Sequence, residues 1–247
     1  MTELEICVDT SAGLAVAQSQ NVSRIELCSA LALGGLTPSP GLMHLASNSP
    51  VPVYAMIRPR SGNFVFTPLE EAAMLADIAA ARSAGLAGVV LGASMPDQSL
   101  NEAMLKRLIT SCGSMGRTLH RAFDLVPDPS KALETVIRLG FDRILTSGCA
   151  PTAPEGMSVL KALVQQARGR IDIMGGSGVT PDNVAMLVRE TGINAVHGSC
   201  RPQVSANSEK DLRTDRSIQL GFGTTPPLPS PAVIQAVRTA MQNHEDI

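Results

Sequence analysis

Apolar and polar positions follow two rhythms along this chain, short β-rich runs and longer stretches with helical spacing, alternating from the N-terminus to about residue 200. The β-rich runs predict eight strands: Leu4–Asp9, Arg24–Cys28, Val53–Arg58, Gly88–Gly92, Thr118–Arg121, Arg143–Thr146, Ile171–Met174 and Ala195–His197. Helix starts between them carry their own signals. Thr67-Pro68-Leu69-Glu70 supplies an N-cap, a proline at the first helical position and a capping-box acid. Asp128-Pro129, Thr180-Pro181 and Ser230-Pro231 repeat the cap-then-proline pattern. Gly85, Gly113, Gly140, Gly169 and Gly192 each precede a predicted strand, at intervals of 23 to 29 residues. That is the length of one strand–helix unit, and glycine at a helix C′ position takes the left-handed conformation freely. Eight such units predict an α/β fold, a single (β/α)8 TIM barrel domain over residues 1–247. A doubly wound open sheet is the alternative, but it usually has fewer strands. Beyond the eighth strand the pattern lapses. Residues 199–230 read as a long polar loop, either a solvated excursion or a lid or interface. A closing helix is expected from Pro231 to about Gln242.

Within this frame several strands are not apolar throughout, as strands buried on both faces should be. Successive strand residues point to opposite faces, so Glu5, Cys7 and Asp9 share one face while Leu4, Ile6 and Val8 share the other. Glu26 and Cys28, then Met56 and Arg58, continue the polar set on neighbouring strands. His120 and Arg121 close the fifth strand and His197 the eighth. Charged groups are rarely buried without partners. Such a collection either builds a site or forms a satisfied ionic network at the barrel centre.

Composition narrows the classes. Hydrophobic residues make up 44% and charged residues 17%, enough apolar material for a sizeable core. Aromatics are 2%, with no Trp and one Tyr, and net charge is −2, so nucleic acid is not expected as a partner. No membrane association is expected either: the longest apolar stretch, around Ala84–Ala93, is too short to span a bilayer. The start of the chain lacks the basic and apolar segments of a signal peptide. Five irregularly spaced cysteines do not read as a disulfide framework. A reducing cytoplasm is the expected compartment, and a homo-oligomer is compatible with the chain.

In a parallel barrel the chemistry gathers at the C-terminal ends of the strands. Residues expected there include Asp9, Cys28, Arg58, His120, Arg121, Asp124, Thr146-Ser147-Gly148 and His197. A histidine near a carboxylate suits acid–base work at neutral pH, and an arginine suits bidentate binding of carboxylate or phosphate. Glu5, Glu26, Arg58, His120, Arg121 and Asp124 are therefore the candidate catalytic set. Gly175, Gly176, Ser177 and Gly178, with Gly198 and Ser199, are the candidate anion-binding set. Bare backbone before the Thr180-Pro181 helix start offers amide N–H groups; a tight turn that merely needs glycine explains the same residues. Cys7 and Cys28 lie on adjacent strands with Met56 beside them, donors that suit Cu(I). Buried cysteine is more often a small hydrophobe. Cys149 and Cys200 fall in mouth loops and Cys112 near a helix end, while His44 and His244 read as surface residues. No organic cofactor is expected.

The same segments resemble the CutC copper-homeostasis family. The matching strings are Glu5-Ile6-Cys7, Arg24-Ile25-Glu26-Leu27-Cys28, Gly34-Gly35-Leu36-Thr37-Pro38-Ser39, Ile57-Arg58-Pro59-Arg60, His120-Arg121-Ala122-Phe123-Asp124 and Arg143-Ile144-Leu145-Thr146-Ser147-Gly148. The resemblance implies a (β/α)8 barrel, a part in copper homeostasis and Cu(I) binding at Cys7, Cys28 or both. Two departures stand out. The family's usual Arg-Pro-Arg-Gly-Gly-Asp-Phe has Ser61 and Asn63 here, and its usual Gly-Ala-Asp before the second strand is Asn21-Val22-Ser23. The rival expectation is an enzyme acting on a small phosphorylated or carboxylated metabolite. A third is a non-catalytic scaffold or interaction protein.

Overall fold

A computed structural model, described over residues 2–202, 216–220 and 227–242, closes eight parallel strands into one barrel in chain order. They are β1 (Glu3–Val8), β2 (Arg24–Leu27), β3 (Val53–Ile57), β4 (Gly88–Leu91), β5 (Gly116–Leu119), β6 (Arg143–Thr146), β7 (Asp172–Gly176) and β8 (Ala195–Gly198). Between them run α1 (Ser11–Ser19), α2 (Pro40–Ala46), α3 (Pro68–Ser83), α4 (Glu102–Cys112), α5 (Pro129–Leu139), α6 (Met157–Ala167) and α7 (Val184–Thr191). After β8 come a short α8 (Arg216–Gln219) and α9 (Pro231–Gln242), the closing helix at the expected place. Most of the expected 199–230 loop, residues 203–215 and 221–226, lies outside the described residues, as does His244.

The sequence signals act as read at most helix ends. Thr67 and Glu70 form the reciprocal capping box, and Asp128 accepts from the Lys131 amide at 3.0 Å. All five C-terminal glycines take positive φ, between +62° and +85°. Several boundaries shift. The Thr180-Pro181 signal predicts a helix there, but α7 begins at Val184. Asn183 accepts from the Thr180 amide at 2.9 Å and donates to the Gly178 carbonyl at 2.8 Å, which holds residues 180–183 in a turn. The third and fifth strands end earlier than expected, so Arg58, His120 and Arg121 stand in loops, with a 3-10 turn over Arg121–Leu125.

Strand alternation sorts the side chains. Ile6, Ile25, Leu27, Ile57, Val89, Leu91, Leu119 and Ile144 face outward and pack under the helices against Met74, Ile78, Leu105, Leu108, Leu133, Val136 and Leu160 in one contiguous apolar layer. The barrel interior differs. Its N-terminal half is plugged by Tyr54, whose ring occupies space that Cβ atoms at Gly88 or Gly116 would enter to within 2.2 Å. The Arg24 guanidinium lies over that ring, 4.1 Å from its centre, and pairs with Glu5. Arg143 bridges Glu3 at 2.6 Å and Asp172 at 2.9 Å, and Asn194 donates to Asp172. Among the described residues no helix is long and apolar enough to cross a membrane.

Candidate functional site

Above the plug, the register of β1 with its neighbours sets the floor of the mouth. Glu5 lies opposite Arg24 and His197, and Cys7 opposite Glu26. Gly176, opposite His197 on β7, leaves room for both that ring and Leu145: a Cβ there would come within 3.3 Å of His197 Cβ and 2.5 Å of Leu145. Glu5 accepts from His197 Nδ1 at 2.7 Å with one oxygen and from Arg24 with the other. A carboxylate only accepts, so Nδ1 carries the proton and Nε2 is left to face the mouth. There Nε2 lies 3.9 Å from Glu26 Oε2. Burial works against the Glu5 charge, but Arg24 and His197 outweigh it and bring its carboxyl down to about 2. Burial also works against protonating His197, but Cys7, Glu26 and Glu5 hold it well above its ordinary value.

Glu26 is the converse case. Burial raises its carboxyl, Glu5 adds to the rise, and Oε1 is enclosed with no hydrogen-bond partner. Its Oε2 accepts from the Cys28 thiol at 3.4 Å. Burial and the neighbouring Glu26 push Cys28 well up, which keeps that thiol protonated, and it packs with Met56 and Val90. The donor atoms of Cys7, Glu26 and His197 all lie within 4.8 Å of one another, and Cys28 falls outside that set. Cys149 and Cys200 stand in mouth loops, each pushed up to about 11 by burial. Cys112 is buried in the apolar layer at the end of α4, and His44 is exposed on α2.

The remaining candidates divide by what holds them. Asp124 accepts from Arg121 Nε at 2.6 Å, the Ser147 amide at 3.0 Å, the Cys149 amide at 3.2 Å and the hydroxyls of Thr146 and Ser147. Its oxygens are occupied in tying the loop after β6 to the loop after β5, an arrangement that suits an organiser better than a proton carrier. Arg121 also donates to Ser147 Oγ at 2.9 Å while lining the mouth. Asp9 likewise ties loops, accepting from Leu31 N at 3.0 Å and Arg201 at 2.7 Å. Arg58 donates to the carbonyls of Leu33, Gly35 and Gly62 at 2.9–3.2 Å. His120 Nδ1 accepts from the Ala122 amide at 3.1 Å, and its ring lies 4.6 Å from that of Phe64. Burial first, then the Arg58 charge, pulls His120 down to about 3, so the ring is neutral.

These groups surround a cavity of about 400 Å³ that reaches from Cys7, Glu26 and His197 to the rim. Ser177, Gly178, Gly198 and Ser199 of the expected anion set line it, and Gly175 and Gly176 do not. Gly175 and Gly176 belong to β7 rather than to a loop, and a Cβ on Gly175 would press within 2.7 Å of Ile193. Close packing explains those two glycines. Asn63 accepts from Arg60 at 3.2 Å and from Val65 N at 3.3 Å, so its amide oxygen serves the loop and the missing family acid stands away from the cavity lining.

Sequence reading underrates His197, placing it at the mouth but in neither the catalytic nor the metal set. The signal that finds it is topological: closing the barrel sets the last strand beside the first, and Glu5 then needs a partner there.

The CutC family model matches residues 2–202. A CutC family protein of Rhizobium meliloti (strain 1021) is 53% identical over 219 residues, covering 89% of this chain and 87% of the relative. One from Agrobacterium fabrum is 47% identical, covering 98% of this chain and 94% of the relative. The crystal structure of CutC from Streptococcus agalactiae, a protein named for copper homeostasis, superposes with a TM-score of 0.77 at 35% identity, covering 81% of this chain and 99% of that one. Phosphoribosyl anthranilate isomerase from Thermococcus kodakaraensis, at TM-score 0.58 and 15% identity, shares the fold, covering 98% of this chain and 100% of that one. Family model, relatives and fold agree, and this chain belongs to the CutC family.

Proposed function

We propose that this protein handles a metal ion at the floor of its barrel mouth, with Cu(I) as the cargo. The observation that carries the reading is the convergence of Cys7 Sγ, His197 Nε2 and a Glu26 oxygen within 4.8 Å of one another. Thiolate and imidazole both suit Cu(I), and the ion takes Nε2 by displacing the proton that His197 otherwise holds there. The Glu5 carboxylate on His197 Nδ1 is the outer partner that fixes tautomer and ring orientation in metal-binding histidines. A cation between the three donors would also compensate a buried Glu26 charge, which burial otherwise suppresses. The same donor set suits Zn²⁺ with an open fourth position, so the choice of copper leans on the name that the Streptococcus relative carries. In this reading Cys28 packs and shares its proton with Glu26, and Cys7 does the binding.

The test is a titration of the reduced protein with Cu(I) against a competing chelator, with Zn²⁺ in parallel. One tight site that Cys7→Ser or His197→Asn weakens by about 100-fold, and that Cys28→Ser leaves nearly unchanged, is the expected result. Binding indifferent to Cys7 would refute it.

A second reading has its own observation. A cavity of about 400 Å³ is far larger than an ion needs and falls in the range of small-molecule sites. It favours an enzyme that acts on a small phosphorylated or carboxylated metabolite in the cytoplasm. Turnover of any such compound, lost in His120→Phe, would be the sign of it.

A further inference from the structure

Two buried hydrogen-bond donors in the mouth have no acceptor in the protein. His120 accepts with Nδ1, so its proton sits on Nε2, and that Nε2–H is enclosed and unpartnered. Arg58 commits its terminal nitrogens to backbone carbonyls and keeps Nε–H in the same condition. Their residues are 3% and 7% exposed, and both side chains line the one cavity. Buried donors are normally satisfied, and leaving one without an acceptor is costly.

The charge points the same way. Arg24 and Arg143, the other buried arginines of the barrel interior, are each paired with carboxylates. Among the described residues Arg58 has no carboxylate partner, because its bonds go to neutral carbonyls. The neighbouring His120 is neutral and donates as well. A buried cation whose Nε–H has no protein acceptor, beside a second donor in the same condition, is complementary to an oxygen that carries negative charge. Phe64 braces the pair, its ring 4.6 Å from the His120 ring and 5.0 Å from the Arg58 guanidinium, and gives the cavity an apolar wall.

We propose that the cavity beside His120 and Arg58 is a subsite for the oxyanion of a small organic acid, a carboxylate or a phosphate ester, bound through His120 Nε2–H and Arg58 Nε–H. This rests on the small-metabolite reading, which it deepens by naming the groups that hold the ligand's anionic head, and it uses none of the metal donors. The site is charge-selective and takes the anionic head of the ligand, while the body of the ligand lies along the cavity toward Ser177 and Ser199.

The test uses reduced, metal-free, ¹⁵N-labelled protein titrated separately with inorganic phosphate and with acetate, followed by NMR at the histidine side-chain nitrogens. Saturable binding with a shift of His120 Nε2 is expected for one of the two probes, and the responsive probe tells phosphate from carboxylate. His120→Phe, which keeps a ring against Phe64 and removes the donor, should weaken that binding at least about tenfold. His120→Gln, which restores an N–H, should recover part of it and serves if the Phe variant does not fold. No His120 response to either probe up to about 20 mM overturns the proposal. So does binding of equal strength in wild type and both variants, which would place the anion on exposed arginines.

Discussion

The two halves of the barrel interior carry similar residues in opposite states. In the N-terminal half, Arg24 meets Glu5, Arg143 meets Glu3 and Asp172, and Tyr54 fills the space that Gly88 and Gly116 leave open. In the C-terminal half, Glu26 Oε1, Arg58 Nε and His120 Nε2 are just as buried and have no partner. Burying charge is tolerable when the geometry pairs it. The lower half is therefore chiefly a paired network, and the upper half keeps charged and imidazole groups each with one buried atom whose partner is absent from the polypeptide. The difference between them lies in satisfaction rather than in composition, and it separates a stabilising network from a binding site.

Breaking the lower half should give the largest effect. Arg24→Met strands Glu5 in a closed interior, and a loss of about 3–5 kcal/mol is expected from denaturant unfolding. A loss under about 1 kcal/mol would mean that the network is no firmer than a surface ion pair.

Acid should sharpen the contrast in two windows. The unfolded His120 takes a proton near pH 6.5, whereas the folded ring refuses it until about pH 3. Stability falls as pH drops across that interval, by at most about 1.4 kcal/mol per pH unit. His120→Phe should flatten that limb in pH-dependent denaturation. Glu5, at about 2 when folded and 4.5 otherwise, contributes stability that is present above pH 4.5 and lost as pH falls toward 2. Glu5→Gln should flatten this lower limb.

A smaller effect is expected from the glycines of the plug. Gly116→Ala sets a methyl against the Tyr54 hydroxyl, where 2.2 Å is available, and overpacking of this kind costs about 1–3 kcal/mol. Thermal unfolding should register it while Cu(I) affinity stays unchanged. The smallest effect belongs to Cys28→Ser, about 1 kcal/mol or less in stability. It tests whether the second thiol belongs to the packing, as its contacts with Met56 and Val90 suggest.

Much of this was legible in the residues. The eight strand–helix units, the cap signals and the closing helix follow from period, proline and glycine placement, all of them local properties. The alternation Glu5, Cys7, Asp9 and the pair Glu26, Cys28 mark the inward face for the same reason. What stayed hidden was pairing at a distance. Glu5 and His197 are 192 residues apart and meet only because the barrel closes. The roles of Gly175 and Gly176 emerge only once Ile193, Leu145 and His197 are in place around them. Arg58, likewise, looks like an anion clamp in sequence, and only the fold reveals the three carbonyls that hold its terminal nitrogens.

Which donors take the metal decides between the two thiols, and X-ray absorption of the Cu(I)-loaded, reduced protein reads that directly. A first shell with one sulfur and an imidazole nitrogen, the sulfur lost in Cys7→Ser, is the predicted result. A shell of two sulfurs, or a protein that retains no copper under reducing conditions, would contradict it.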